Sequence, residues 1–324
     1  MNEEWLPRST SRGILRSGPA RVAATLSIAM LLAVSCSGEQ GGGGAQPSDG
    51  GATSAPAVAP DAGVELSAED YSPSRFDDRS TTIDNAWFPM APGTRLTYKG
   101  RSGVGAERLR HAVVFTVTDL TKVIDGVRTL MLWEEDYTEG ELVETELAFF
   151  AQDTSGNVWH FGQYPEEYED GEFTKAPAWI AGVEGALTGI TMKAEPKLGT
   201  SDYSQGFAPK PINWIDRAKV REMGVDTCVP AGCYENVLVT EEFEVDKPGA
   251  YQLKYYAEAV GTVRVGWAGR NEDEREVLVL TEATVLVGQE LSDVRDAVLT
   301  LEARAFERSP DVYGLTPPSE QLPG

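Results

Sequence analysis

The sequence predicts an all-β fold: a single antiparallel, curved sheet (half-barrel, barrel or sandwich) with one C-terminal helix packed on it. Three observations carry that expectation. From about residue 77 apolar and polar side chains alternate, the period-2 signal of half-buried strands. Turn-forming Gly, Pro, Asn and Asp recur at short spacing with no helical pattern between them, which argues against a parallel sheet. A 3.6-residue period is found only near the C-terminus.

The elements follow in order. The Pro92-Gly93 turn leads into Arg95–Tyr98, and the β-branched and aromatic stretch Ala112–Thr118 makes the next strand. Arg128–Trp133 and Leu142–Gln152 follow, and a turn at Thr154-Ser155-Gly156-Asn157 opens Val158–Phe161. Tyr164–Phe173 contains Asp170-Gly171, a hairpin signal. Residues 177–200, with Gly182, Gly185, Gly189 and Pro196, predict a long loop or short helix crossing the sheet. Strand patterns resume over Lys219–Val225, Val237–Val245, Tyr251–Tyr256, Thr262–Trp267 and Arg275–Val287. Val294, Ala297, Val298, Leu301 and Ala305 form one apolar stripe of a helix over 292–308, capped by Ser292 or Asp293 and ended by Ser309-Pro310. Residues 77–308 thus form one domain, and the Pro-rich residues 309–324 form a loose tail.

The N-terminal fifth has another character. Arg8, Arg12, Arg16 and Arg21 precede the uncharged apolar run Val22–Val34, which is short for a membrane span of ~20 residues and reads as the end of a 1–35 export signal. Leu32-Ala33-Val34-Ser35 directly before Cys36 resembles the lipobox of bacterial lipoproteins. That resemblance implies a lipidated Cys36 as mature N-terminus and a membrane partner reached through the anchor. Residues 36–66 are Gly, Ser, Ala and Pro with few large apolar side chains, a flexible linker with a root-mean-square span of roughly 30 Å. The expected location is extracytoplasmic and lipid-anchored, on an outer membrane if the cell has one.

Composition narrows the function. With 51 acidic against 28 basic residues and a net charge of −23, the chain lacks the cationic surface that nucleic-acid binding requires. Two His leave little room for histidine catalysis, and no Gly-x-Ser-x-Gly elbow accompanies His111 or His160. Gly42–Gly44 lies in the linker, far from any strand-to-helix turn, so it is no phosphate loop. Cys228 and Cys233 flank Val-Pro-Ala-Gly; in an oxidising compartment they form a hairpin disulfide, the alternative being a redox pair without the usual C-x-x-C spacing.

Asn85–Thr94, Val229–Thr240 and Tyr255–Val263 are similar to landmarks of an uncharacterised family of secreted bacterial β-rich proteins and lipoproteins. The resemblance implies a curved antiparallel sheet and brings no activity with it.

Two constellations remain as candidate sites. Glu134, Glu135, Asp136, Glu166 and Glu167 fall near strand ends and could gather calcium, although no Asp-x-Asp-x-Asp-Gly loop is present; a solvated rim is the plainer reading. Trp133, Phe149, Trp159, Phe161 and Trp267, spread over many strands, could line an apolar cavity or fill an ordinary core. The expectation is a non-catalytic binding or cell-envelope protein without cofactor, whose partner is an envelope protein or a small apolar ligand. The alternatives are a lipid carrier in a half-barrel and, third, a carboxylate-dependent hydrolase or calcium-dependent binder.

Overall fold

The computed structural model describes residues 69–104 and 108–323. The export signal 1–35, Cys36 and the linker 36–66 lie outside the described residues. In chain order the strands are β1 (Thr94–Ser102), β2 (Leu109–Ile124), β3 (Val127–Thr138), β4 (Glu141–Gln152), β5 (Val158–Glu169), β6 (Glu172–Lys175), β7 (Trp179–Ile180) and β8 (Leu187–Met192). They continue as β9 (Tyr203–Ser204), β10 (Gly206–Phe207), β11 (Asp216–Val229), β12 (Gly232–Glu244), β13 (Tyr251–Ala257), β14 (Gly261–Ala268), β15 (Val277–Val285) and β16 (Glu320–Gln321). One helix, α1 (Gln289–Arg308), precedes β16.

All pairings are antiparallel, in the order β10-β8-β5-β4-β3-β2-β1-β15-β14-β13-β12-β11-β9. The two ends of that order, β9 and β10, are consecutive in the chain and joined by Gln205, so the sheet curls into a nearly closed barrel. The long hairpins are fixed by their turns. Asp125-Gly126, Glu139-Gly140 and Asp170-Gly171 all have positive φ at both positions, the backbone whose twist matches the flanking strands. Closure depends on Gly189: a Cβ there would lie 2.1 Å from the Gly206 backbone nitrogen.

The sheet is apolar on both faces. Inside, Leu130, Leu132, Ala148, Phe150, Leu238 and Tyr256 pack together. Outside, Phe149, Trp159, Phe161 and Tyr164 pack against Val294, Val298, Leu301 and Ala305 of α1. Four of the five residues of the expected stripe are buried, and Ala297 is exposed. Charge reinforces the packing: Asp119 of β2 holds the Arg295 guanidinium, and Glu166 of β5 holds Arg304 and Arg308.

Several boundaries differ from expectation. The helix starts at Gln289 behind Gly288 rather than at Ser292, so Ser292 and Asp293 lie inside the helix and provide no cap. Residues 177–200 contribute β7 and β8, both paired with β5; Gly189 permits a close strand approach, and Gly182 and Gly185 take positive φ in the turn between them. The domain begins before residue 77, since Tyr71 and Phe76 stack against Trp159 and Phe161. The tail is not loose. Tyr313 is fully buried, and β16 pairs with β2. Its anchor is Lys122, whose Nζ reaches Glu302 Oε1 at 2.8 Å and the Pro317 carbonyl at 2.6 Å. Prolines suppress regular structure but not docking, which single aromatic and charged anchors provide here.

Candidate functional site

The barrel interior contains a chamber of about 100 Å³. Its wall draws on the neighbouring strands β1 to β4 and, across the barrel, on β13. Phe88, Tyr98, Phe115, Phe150 and Tyr256 supply its aromatic lining, and Glu134, His160, Gln205 and Lys254 bring polar groups into it. A mainly apolar cavity with a few convergent polar groups is the usual form of a small-ligand site.

Strand parity decides which residues reach it. Phe150 and His160 are cross-strand partners with stacked rings 4.9 Å apart. Trp179 and Trp214 stand edge-on to the imidazole at 5.0 and 5.8 Å. Burial holds His160 neutral, its pKa brought down to about 3.

Beyond the rings the interior turns acidic. The register of β3 on β4 sets Glu134 directly opposite Glu146, and Asp136 opposite Glu144. Like charges so placed repel. Glu134 and Glu146 are 1% and 0% exposed, and no protein donor reaches any of their four carboxylate oxygens. Burial, then the neighbouring carboxylates, push both pKa values well above the usual carboxylate range.

Three other interior acids, Asp136, Glu276 and Glu242, have cations. His111 Nε2 lies 2.6 Å from Asp136 Oδ1, and its Nδ1 lies 2.9 Å from Glu276 Oε1, a contact of charge rather than an aligned hydrogen bond. Burial alone would lower the His111 pKa; its two carboxylates outweigh that and raise it. Burial brings Asp136 up to about 6 against the opposing pull of His111. Lys254 Nζ contacts Glu242 Oε2 at 2.7 Å, while Gln205 donates its amide N–H to Glu242 Oε1 at 3.2 Å. At one barrel end a second cavity of about 200 Å³ is lined by Asp216, Glu242, Glu244, Glu272 and Glu274 with Lys247.

The residues singled out from sequence divide across these surfaces. Trp133, Phe149, Trp159 and Phe161 do not line the chamber: they belong to the outer core under α1 and the N-terminal segment. Trp133 donates to Thr145 Oγ1, and Trp159 to Asp153 Oδ2. Trp267 is half-buried beneath the Arg275 guanidinium, also away from the chamber. Each of Trp133, Phe149, Trp159 and Phe161 adjoins an interior residue (Leu132, Ala148 or Phe150, His160), and a shift of one position along a strand changes the face.

Of the carboxylates, Glu134 and Asp136 point inward. Glu135 accepts from the Tyr137 hydroxyl, Glu166 anchors α1, and Glu167 pairs with Lys175. They do not converge, and among the described residues no three His, Cys, Asp or Glu side chains are arranged to hold a metal ion. Cys228 and Cys233 are bonded across the β11–β12 hairpin. Glu146, Gln205, Lys254 and the His111 clasp are absent from the sequence-based candidates. The available signal was parity, because Glu134 and Asp136 continue the face of Leu132, and Glu146 and Glu144 that of Ala148.

No protein-family profile matches the chain, and no curated protein matches it. Two solved structures are similar to it. One is a protein of Bacteroides fragilis assigned as exported, with a YmcC-like fold, at 13% identity and a TM-score of 0.38 over 62% of this chain and 99% of its own. The other, from Parabacteroides distasonis and assigned as a lipoprotein, has 14% identity and a TM-score of 0.30 over 62% of this chain and 100% of its own. At these values neither likeness carries a functional assignment.

Proposed function

We propose that the chain is a lipid-anchored, extracytoplasmic binding protein whose barrel holds a small, mostly apolar ligand without transforming it. The observation that carries this reading is the aromatic-lined interior chamber into which a few buried polar groups converge. The surroundings of the two histidines support a non-catalytic reading: His160 is kept neutral among rings, and His111 is clasped by two carboxylates. The anchor rests on the Cys36 lipobox and the polar linker behind it.

Native mass spectrometry of the full chain, released in detergent from an exporting host, tests the binding. A reproducible small-molecule adduct is expected, and it should be lost when Phe150→Trp fills the chamber. The bare lipidated mass in both forms would count against a ligand and favour an envelope protein partner at the surface. For the anchor, Cys36→Ala should move the protein from the membrane to the soluble fraction; retention would refute lipidation at Cys36.

A further inference from the structure

The interior has unequal numbers of acids and cations. Glu134, Asp136, Glu146, Glu242 and Glu276 are all at least nine-tenths buried, and the cations set among them are His111 and Lys254. His111 is committed to Asp136 and Glu276, and Lys254 to Glu242. Glu134 and Glu146 are left facing one another with four oxygens that meet no protein donor. A buried acid in that state is costly unless a donor or a cation completes it.

Two further groups of the chamber wall can accept, while the neutral His160, neither of whose ring nitrogens has a hydrogen-bond partner, brings one N–H donor and one acceptor. Gln205, 1% exposed, spends its amide N–H on Glu242, which fixes the amide so that Oε1 is an acceptor without a donor. Thr191 Oγ1, also in the chamber wall, has no partner and can accept. The chamber therefore offers mainly acceptors around Glu134 and Gln205, where a bound cation would favour the ionised carboxylate, and ring faces over the rest.

We propose, on the reading that the chamber binds a ligand, that this ligand is an organic cation: an ammonium or guanidinium N–H donor meeting Glu134 and Gln205, on an apolar body among Phe88, Phe115, Phe150 and Tyr256. An anion would meet Glu134, with Lys254 already neutralised by Glu242. A neutral hydrocarbon would leave the acids as they are. A bare metal ion finds no set of three ligands among the described residues. Aromatic faces add to the preference, since a cation near a ring is attracted by its quadrupole. A volume of about 100 Å³ matches a body near one aromatic ring, by comparison with benzene in a dry cavity of about 150 Å³.

The test uses three probes of one size and different charge: benzylamine, benzyl alcohol and benzoate. Each is titrated calorimetrically into the full lipidated chain in phosphatidylcholine nanodiscs, with empty nanodiscs as blank. Benzylamine should bind about tenfold tighter than benzyl alcohol, with benzoate weakest. Glu134→Gln should weaken benzylamine about tenfold and leave benzyl alcohol no weaker, so retained alcohol binding certifies the fold of the variant. The exposed Glu235→Gln should change neither. Equal affinity for amine and alcohol, tighter benzoate, or a Glu134→Gln variant that binds benzylamine normally overturns the cationic ligand and leaves the chamber reading standing. No binding by any probe, together with a bare mass in native spectra, overturns both.

Discussion

Glu274→Gln gives the sharpest test of the acidic barrel end. The side chain lies in the cavity with Glu244 and Glu272, and its Oε2 has no hydrogen-bond donor. Burial pushes its pKa from 4.5 up to about 7; Lys247 opposes the rise, and Glu272, Glu276 and Glu244 add to it. In the unfolded chain the group titrates near 4.5. Below that pH both states hold the proton and the group is neutral toward stability. Between pH 4.5 and 7 the folded protein keeps a proton that the unfolded chain releases, so stability falls as pH rises. Above 7 the full penalty applies. The rise is worth about 3 kcal/mol, and partial access to solvent at the cavity mouth reduces the expectation to about 2–3 kcal/mol. Glutamine keeps the shape and cannot ionise. Urea unfolding at pH 4.5, 6 and 8 should show the variant equal to the parent at pH 4.5 and more stable by about 2–3 kcal/mol at pH 8. A difference independent of pH, or a variant less stable at pH 8, would refute the reasoning.

Other perturbations probe the frame around the chamber. Glu302→Ala removes the carboxylate that receives the buried Lys122, the Tyr313 hydroxyl and the Ser319 hydroxyl, and should destabilise by about 3–5 kcal/mol in urea unfolding. Lys122→Met with Glu302→Leu should recover most of that loss, because no charge is then left buried; a double variant as unstable as the single one would show that the ion pair itself stabilises the tail. Gly189→Ala places a Cβ 2.1 Å from the Gly206 nitrogen, backbone that cannot rotate away, and should lower stability by about 3 kcal/mol or more. A near-neutral Gly189→Ala, read by thermal unfolding, would mean that the barrel seam is loosely held.

The hairpins and the sheet were legible because their signals are local. Asp170-Gly171 names its own turn, and the alternation in Ala112–Thr118 names its own strand. The face was harder to read. β5 is buried at Trp159, His160 and Phe161 alike, because α1 covers one side of the sheet and the barrel encloses the other. Alternation identifies the inner face only where one side is wet. Trp159 and Phe161 therefore looked as suited to a cavity as His160, although both rings belong to the outer core. Charge misled for a related reason: acids near strand ends suggest a solvated rim, and only closure of the sheet turns Glu134 and Asp136 inward. The tail was misjudged because its order depends on Lys122, 195 residues from Pro317, a separation no local pattern conveys.

The outer face supplies the comparison that gives the interior its meaning. There, every buried acid that meets α1 has its cation: Asp119 with Arg295, Glu166 with Arg304 and Arg308. Despite burial, hydrogen bonds from Arg304, Tyr168 and Tyr164 keep the Glu166 pKa below its ordinary value, and Arg295 does the same for Asp119. Glu134 and Glu146 are likewise shut away from solvent, and their pKa values move the other way. Acids are thus buried on both faces, more deeply inside the barrel, and the supply of protein donors differs as well. A chain that provides three arginines for two outer acids, and none for a directly opposed inner pair, has concentrated its unmet acceptors beside the aromatic chamber, where a donor-bearing ligand would complete them.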